Sequence, residues 1–344
     1  MGEKITQIKL DEIALMRTIL TLLIVCLHAF TCFQGGWAKP EGYVDIPLYK
    51  WIARTAFAFT LESFVFISGY LLAFQQITLK KHRDLRIVKS KFKRLLIPSV
   101  IFSILYFFVF YQYDGFGHFL YDILNGCGHM WYLPMLFWCF IGVILLNKCR
   151  INDVYILLFM AFLNICWPIS LPLQLSRSFY YIFYFYLGYV IYKNSEYVKQ
   201  KISLKYLIIS ILIFLLCFVL FRPLQETIVI GDQGVKYYRL LTSIVQNLCN
   251  FIYAVTGTIS FYLVVVWHTN RKSLKSIVLN FASCCFGVYI IHQFVLKVLY
   301  YNTAFASIVG PYFLPWLGFL ITLLISYYIT KLLVQTRIGR FLLG

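Results

Sequence analysis

The stretch RTILTLLIVCLHAF, residues 17–30, opens an apolar run with Arg17 and carries His28 inside it. Ionisable groups within a membrane span are costly, and by default they face a bundle interior or an aqueous cavity. Arg17 and His28 are eleven residues apart, which on an α-helix is about 20° beyond three full turns and about 16 Å along the axis. One helix face therefore carries both. A neutral histidine in such a place can take a proton from a hydroxyl, and an arginine at the mouth can hold a phosphate or a carboxylate. The plainer alternatives are a snorkelling arginine at a helix end and a histidine hydrogen-bonded to a neighbouring helix.

Four further places carry groups of this kind. Glu62 lies in LESFVFISGYLLAF, residues 61–74, where a carboxylate needs a partner; His28 and Arg54 are the candidates, and an ion pair that only fixes helix positions is the alternative. In the same run Ser68-Gly69 lets another helix backbone or a slender ligand approach closely. GHMWYLPML, residues 128–136, sets His129, Trp131 and Tyr132 where an outer entrance to the bundle is expected, although aromatic anchoring at the interface also accounts for the rings. FGVYIIHQF, residues 286–294, places His292 deep in a late apolar run.

The elements that must position these residues are membrane helices. Of the 344 residues 61% are hydrophobic and 13% charged, with mean hydropathy +0.78, more apolar surface than a water-soluble domain can bury. Ten apolar runs are long enough to span, at roughly 13–33, 51–77, 95–113, 129–147, 153–170, 178–193, 204–221, 244–267, 276–298 and 311–333. We expect an all-α integral membrane protein of about ten transmembrane helices, one multi-pass domain over 1–344 without a soluble domain. The first run has no small-residue cleavage site and is expected to remain as a span. The ten cysteines form no C-x-x-C pair, and most fall inside apolar runs as packing groups, so no metal site is expected.

The net charge of +18 does not point to nucleic acid, because the basic residues lie between the spans. Assigning the N-terminus to the cytoplasm puts most of the 31 Lys and Arg on that side, in the segments around Lys4, 80–94, Lys148, 193–205, 271–275 and 331–340. The positive-inside rule therefore predicts cytoplasmic N- and C-termini. One inner segment, KKHRDLRIVKSKFKRLLIP, is far more basic than orientation requires. Its eight basic residues within 80–94, Arg83, Arg86, Lys91 and Arg94 among them, fit anionic lipid headgroups or a polyphosphorylated ligand such as a nucleotide or coenzyme A. The outer segment 111–129 has no Lys or Arg and mixes tyrosines with Asp114, Asp122 and Asn125, a weak carbohydrate-binding signal. The longest outer connection is expected at 222–243.

In order, these motifs resemble transmembrane acyltransferase family 3. The resemblance rests on R-x(10)-H in the first span, F-V-F-I-S-G-Y at Phe64 to Tyr70, and a basic stretch ending K-x-x-R-L-L-I-P at Lys91 to Pro98. H-M-W-Y-L-P at His129 to Pro134 and Y-I-I-H at Tyr289 to His292 complete it. It implies an enzyme of the cell membrane that moves an acyl group, most often acetyl, from cytoplasmic acyl-CoA to a hydroxyl of an extracytoplasmic or lipid-linked glycan. His28 matches the family's essential histidine and Arg17 its arginine partner; Glu62 falls where an acidic residue, commonly Asp, is usual. Lys91 and Arg94 fall in the basic motif, lysine standing at 91 where arginine is frequent. On this reading the basic segment, with Arg83 and Arg86, grips the phosphates of acetyl-CoA, a donor substrate rather than a tightly bound cofactor. Ser68-Gly69 admits its pantetheine arm, and His129, Trp131, Tyr132 and His292 face the acceptor.

The rival class is a secondary transporter or flippase for a glycan or small organic acid, which usually shows internal repeats or broken helices; neither is visible here. A polysaccharide polymerase or ligase would also span many times, with its functional charge in large outer loops.

Overall fold

The structure is a computed structural model that describes residues 2–78, 84–166 and 170–343, and the side chains of these from residue 11 onward. Among the described residues every regular element is helical. In chain order they are α1 (Gly2–Ala29), α2 (Thr31–Gln34), α3 (Pro47–Phe57), α4 (Thr60–Ala73), α5 (Asp84–Lys91) and α6 (Ile97–Phe110). Then follow α7 (Phe116–Asn125), α8 (Tyr132–Leu146), α9 (Asp153–Cys166), α10 (Leu175–Lys193) and α11 (Ser195–Lys201). The last five are α12 (Leu204–Thr227), α13 (Lys236–Thr269), α14 (Ser276–Tyr301), α15 (Phe305–Leu333) and α16 (Arg337–Leu343).

Among the described residues, eight helical stretches are long and apolar enough to cross a bilayer. The two remaining expected runs coincide with α9, whose 14 residues reach only about 21 Å, and α10, whose 19 residues include Tyr180, Tyr181, Tyr184, Tyr186, Tyr189 and Tyr192. The aliphatic faces that would meet lipid are bare: Leu212, Leu216, Val219 and Leu220 of α12 are all more than half exposed, an arrangement stable only in an apolar solvent.

Several expected boundaries move. The segment 84–98 is not a loop: α5 runs through a π-helical turn, Phe92–Leu96, into α6. The connection expected at 222–243 shrinks to 228–235, because α12 continues past Pro223 to Thr227 and α13 begins at Lys236. The second expected span bends at residues 58–59, between α3 and α4.

Contacts divide the chain into two compact units, residues 1–60 with 272–344, and residues 61–271. In the first, α1 and α14 run parallel: the Thr18 hydroxyl donates to the Val278 carbonyl at 3.4 Å near one end, and Tyr300 donates to the Ala29 carbonyl at 2.9 Å near the other. An aromatic cluster of Phe30, Phe33, Tyr49 and Trp316 ties α1, α2, α3 and α15 together. In the second unit α4 and α10 meet at reciprocal glycines. A Cβ on Gly69 would lie 1.7 Å from the Phe185 carbonyl oxygen, and one on Gly188 would lie 2.0 Å from that of Phe66. Only residues without a side chain let these backbones approach so closely.

Gly69→Ala is therefore expected to lower the thermal unfolding temperature of the detergent-solubilised protein, at a cost of about 1–3 kcal/mol from overpacking. Gly117→Ala, in a helix with open space around it, serves as the control; equal unfolding temperatures for both variants would contradict the close-packing account.

Candidate active site

In the first unit the chemistry gathers where α1 meets α14. His28 is partly exposed, whereas His292 is fully buried. The His28 Nδ1 lies 2.9 Å from the Ile24 carbonyl oxygen and 3.0 Å from His292 Nε2. The His292 Nδ1 lies 2.6 Å from the Tyr289 carbonyl and 3.2 Å from that of Val288. Carbonyls only accept, so both Nδ1 atoms must carry hydrogen. His292 Nε2 is then an acceptor, and His28 Nδ1–H is shared between it and Ile24. The hydrogen bonds thus assign the tautomers: the lone pair of His28 sits on Nε2. The Trp37 ring stacks beside His28 at 5.9 Å between centroids and 24° between planes, and the Lys297 ammonium lies 5.6 Å over Trp37.

Arg17 is exposed on α1, and its charge reaches the Cys285 thiol of α14, which Thr18 and Thr21 also contact.

The second unit holds a separate buried polar cluster. Glu62 of α4 is 5% exposed, and its Oε2 accepts no hydrogen bond. The cation acting on it is Arg222, and Tyr132, Tyr180, Tyr181, Tyr184 and Tyr253 lie within its electrostatic reach. Arg222 is itself buried. Its Nη1 donates to the Tyr253 hydroxyl at 2.7 Å and to Gln225 Oε1 at 3.1 Å, and its Nε pairs with Glu226 at 3.1 Å. Asn250 joins Tyr253 to Tyr180 by hydrogen bonds on both sides.

The other expected site residues are spread through this unit. Ser68 Oγ donates to the Phe64 carbonyl at 3.0 Å and bonds the Tyr132 hydroxyl, while the space over Gly69 is taken by the Phe185 backbone. The Lys91 ammonium lies 4.3 Å over the Phe140 ring; Arg86 and Arg94 are exposed. Arg83 lies outside the described residues. His129 is buried beside Tyr106, with centroids 6.1 Å apart, and Tyr132 is buried too. Trp131 reaches a cavity and carries the Arg177 guanidinium 4.2 Å above its ring. Among the described residues no cluster of three or more His, Cys, Asp or Glu side chains could hold a metal ion.

The profile of acyltransferase family 3, an acyltransferase domain, matches residues 10–333. The chain belongs to acyltransferase family 3. No match was found among curated proteins or among solved structures. With eight apolar helices of crossing length, this family 3 acyltransferase is a multi-pass membrane protein.

Three functional-looking groups of the acyltransferase escaped sequence reading. Arg222 and its partners Tyr253 and Asn250 were hidden because Arg222-Pro223 reads as the end of a helix. The signal that α12 continues was the placing of Gln225 and Glu226 three and four residues on. His292 was legible as a buried imidazole, but nothing in its local sequence says that it meets His28.

Arg222→Leu would remove the hydrogen bond to the Tyr253 hydroxyl, the pairing with Glu226 and the positive charge that acts on Glu62. Losing hydrogen bonds from a buried charged group costs about 1.5–3 kcal/mol, so the variant should unfold at lower temperature in detergent. Unfolding at the wild-type temperature would show that the cluster is held together without the arginine.

Proposed function

We propose that this acyltransferase moves an acyl group, acetyl foremost, from cytoplasmic acyl-CoA to a hydroxyl of an extracytoplasmic or lipid-linked glycan, with His28 as general base, at the cell membrane. The observation that carries the reading is the hydrogen bond from His28 Nδ1–H to His292 Nε2. It leaves the basic lone pair on Nε2 of the more accessible of the two rings. His28 Nε2 takes the proton of the acceptor hydroxyl as that oxygen attacks the thioester carbonyl. The tetrahedral intermediate collapses with formation of the ester C–O bond and cleavage of the C–S bond. The departing CoA thiolate recovers the proton from His28, so the enzyme ends as it began.

In this scheme His292 is a positioning residue. It fixes the plane and tautomer of His28 without touching the acceptor, the part that a carboxylate plays in a Ser-His-Asp triad. The exposed cations Arg86 and Arg94 supply charge for the phosphates of the donor. Ten spans with both termini in the cytoplasm remain the topology we favour, on the distribution of basic residues.

With purified protein, labelled acetyl-CoA and a glycan acceptor, His28→Ala is expected to lower kcat by about 10²–10⁴-fold. His292→Ala should lower kcat by about 10–100-fold, the range for losing a partner that orients a working histidine, while KM for acetyl-CoA stays put. Partial recovery is expected in His292→Gln, whose side-chain oxygen can still accept from Nδ1–H. An active, well-expressed His28→Ala protein would sink the base assignment, and full kcat in His292→Ala would remove the positioning role.

The donor side is tested separately. Replacing Arg86 and Arg94 together with glutamine should raise KM for acetyl-CoA roughly 10-fold, since hydrogen bonds to charged groups are worth more than neutral ones, with kcat little changed. An unaltered KM would return this segment to contact with lipid headgroups.

A further inference from the structure

A cavity of about 400 Å³ opens in the second unit between α7, the turn that follows it and the start of α10. That volume lies within the range of small-ligand sites, roughly 300–1,000 Å³. The floor is backbone. Gly126 and Gly128 stand at φ +85° and +56°, and a Cβ on either would strike Met130 or Tyr106, so the turn that forms this floor requires glycine at both positions. The turn is pinned by the Cys127 N–H donating to Ser103 Oγ at 3.1 Å, and it is closed from the α10 side by Gln174, whose amide donates to the Asn125 carbonyl at 2.8 Å.

The walls differ in charge. On the α7 side stand Asp122 and Asn125, with the exposed rings of Tyr111 and Tyr121. On the α10 side stands Arg177, the one cation of the lining, resting 4.2 Å over Trp131. Among the described residues neither Asp122 nor Arg177 forms an ion pair, although both line the same cavity. Stacking on the indole fixes the plane of the guanidinium and leaves its N–H fork for a ligand.

We infer that this cavity binds a saccharide bearing a negative charge, the anionic group against Arg177 and neutral hydroxyls against Asp122 and Asn125. A planar guanidinium fork matches a carboxylate or a phosphate in bidentate fashion. A carboxylate and an amide opposite it suit sugar hydroxyls, and the tyrosine faces suit the C–H faces of a pyranose ring. A phospholipid headgroup fits less well, since it brings no pyranose face to the tyrosine rings that line the cavity. The inference names the acceptor class for the acyl transfer proposed above and rests on that reading for its role, whereas the binding itself does not depend on it.

The test is calorimetric titration of the full chain in phosphatidylcholine nanodiscs with digalacturonic acid, with digalactose as the neutral match, and with a neutral disaccharide on a polyprenyl diphosphate. At least one charged probe should bind about 10-fold more tightly than digalactose, and Arg177→Gln should erase the difference. Preference for digalacturonic acid places the charge on the sugar; preference for the lipid-linked probe places it on the diphosphate. Equal affinity for charged and neutral sugars, an unchanged preference in Arg177→Gln, or loss of binding when phosphatidylglycerol replaces phosphatidylcholine would each overturn the inference, the last assigning Arg177 to lipid. Wild-type turnover of acetyl-CoA, measured in parallel, reads the acyl-transfer proposal independently: its absence counts against that proposal, while the titration alone decides the cavity.

Discussion

A hydrocarbon environment offers no water to satisfy an imidazole, so both ring nitrogens of a histidine in a span must be accounted for by the protein. The first unit is organised around that constraint. His292 gives its Nδ1 proton to the carbonyls one turn back on its own helix, and thereby presents a bare nitrogen to α1. His28 can meet it only because α1 and α14 run parallel and close, an alignment held by Thr18 near one end and by Tyr300 near the other. The α15 helix keeps α14 in place through small residues: Gly287 lies against Thr330, and Gly318 against the Tyr300 ring. Gly318 thus acts on the histidines at second hand, since the Tyr300 hydroxyl that it accommodates bonds the carbonyl of Ala29, next to His28.

The second unit obeys the same constraint with different groups. A carboxylate, a guanidinium and several phenols are brought inside together; Arg222, Tyr253, Asn250 and Tyr180 are linked by hydrogen bonds, whereas Glu62 Oε2 and the Tyr184 hydroxyl make none. The tyrosines of α10 lower its hydropathy, yet Tyr181, Tyr184 and Tyr186 are each less than a tenth exposed. A helix of this composition is suited to enclosure by other helices rather than to lipid contact. The glycine contacts of α4 and α10 bring that tyrosine-rich surface close to Glu62.

How far the sequence was legible follows from which interactions are local. Helix identity is local: apolar runs and their lengths reveal it, and among the described residues each expected run falls on helical segments, the second on two of them. Shared faces are local as well, since the angular spacing of Arg17 and His28 on one helix follows from sequence alone. The motif order was sufficient to indicate the family. Partnership between distant segments is not local. Glu62 was offered His28 and Arg54, whereas the cation acting on it is Arg222, 160 residues later in the chain. The proline at 223 concealed that residue, because proline usually ends a helix, whereas here α12 carries it inside and runs on for one more turn. The Ser68-Gly69 pair left two occupants open, a ligand or a backbone, and Phe185 fills the space over Gly69.

In the mechanism we propose, a histidine rather than a carboxylate stands behind the base, and this has a physical consequence. In a water-facing triad the orienting carboxylate also stabilises the imidazolium that forms during reaction. Inside a membrane a permanently charged orienter would carry a large desolvation penalty when the base is neutral, which is its state for most of the cycle. A neutral acceptor such as His292 fixes the tautomer without that cost, but it gives the transient imidazolium less help. The charge must then remain on His28, because moving a proton across the 3.0 Å bond would place it on a fully buried ring. The stacked indole of Trp37 offers that charge a π face. The pair is asymmetric by burial: in the proposed mechanism the inner ring sets direction, and the outer ring carries the proton.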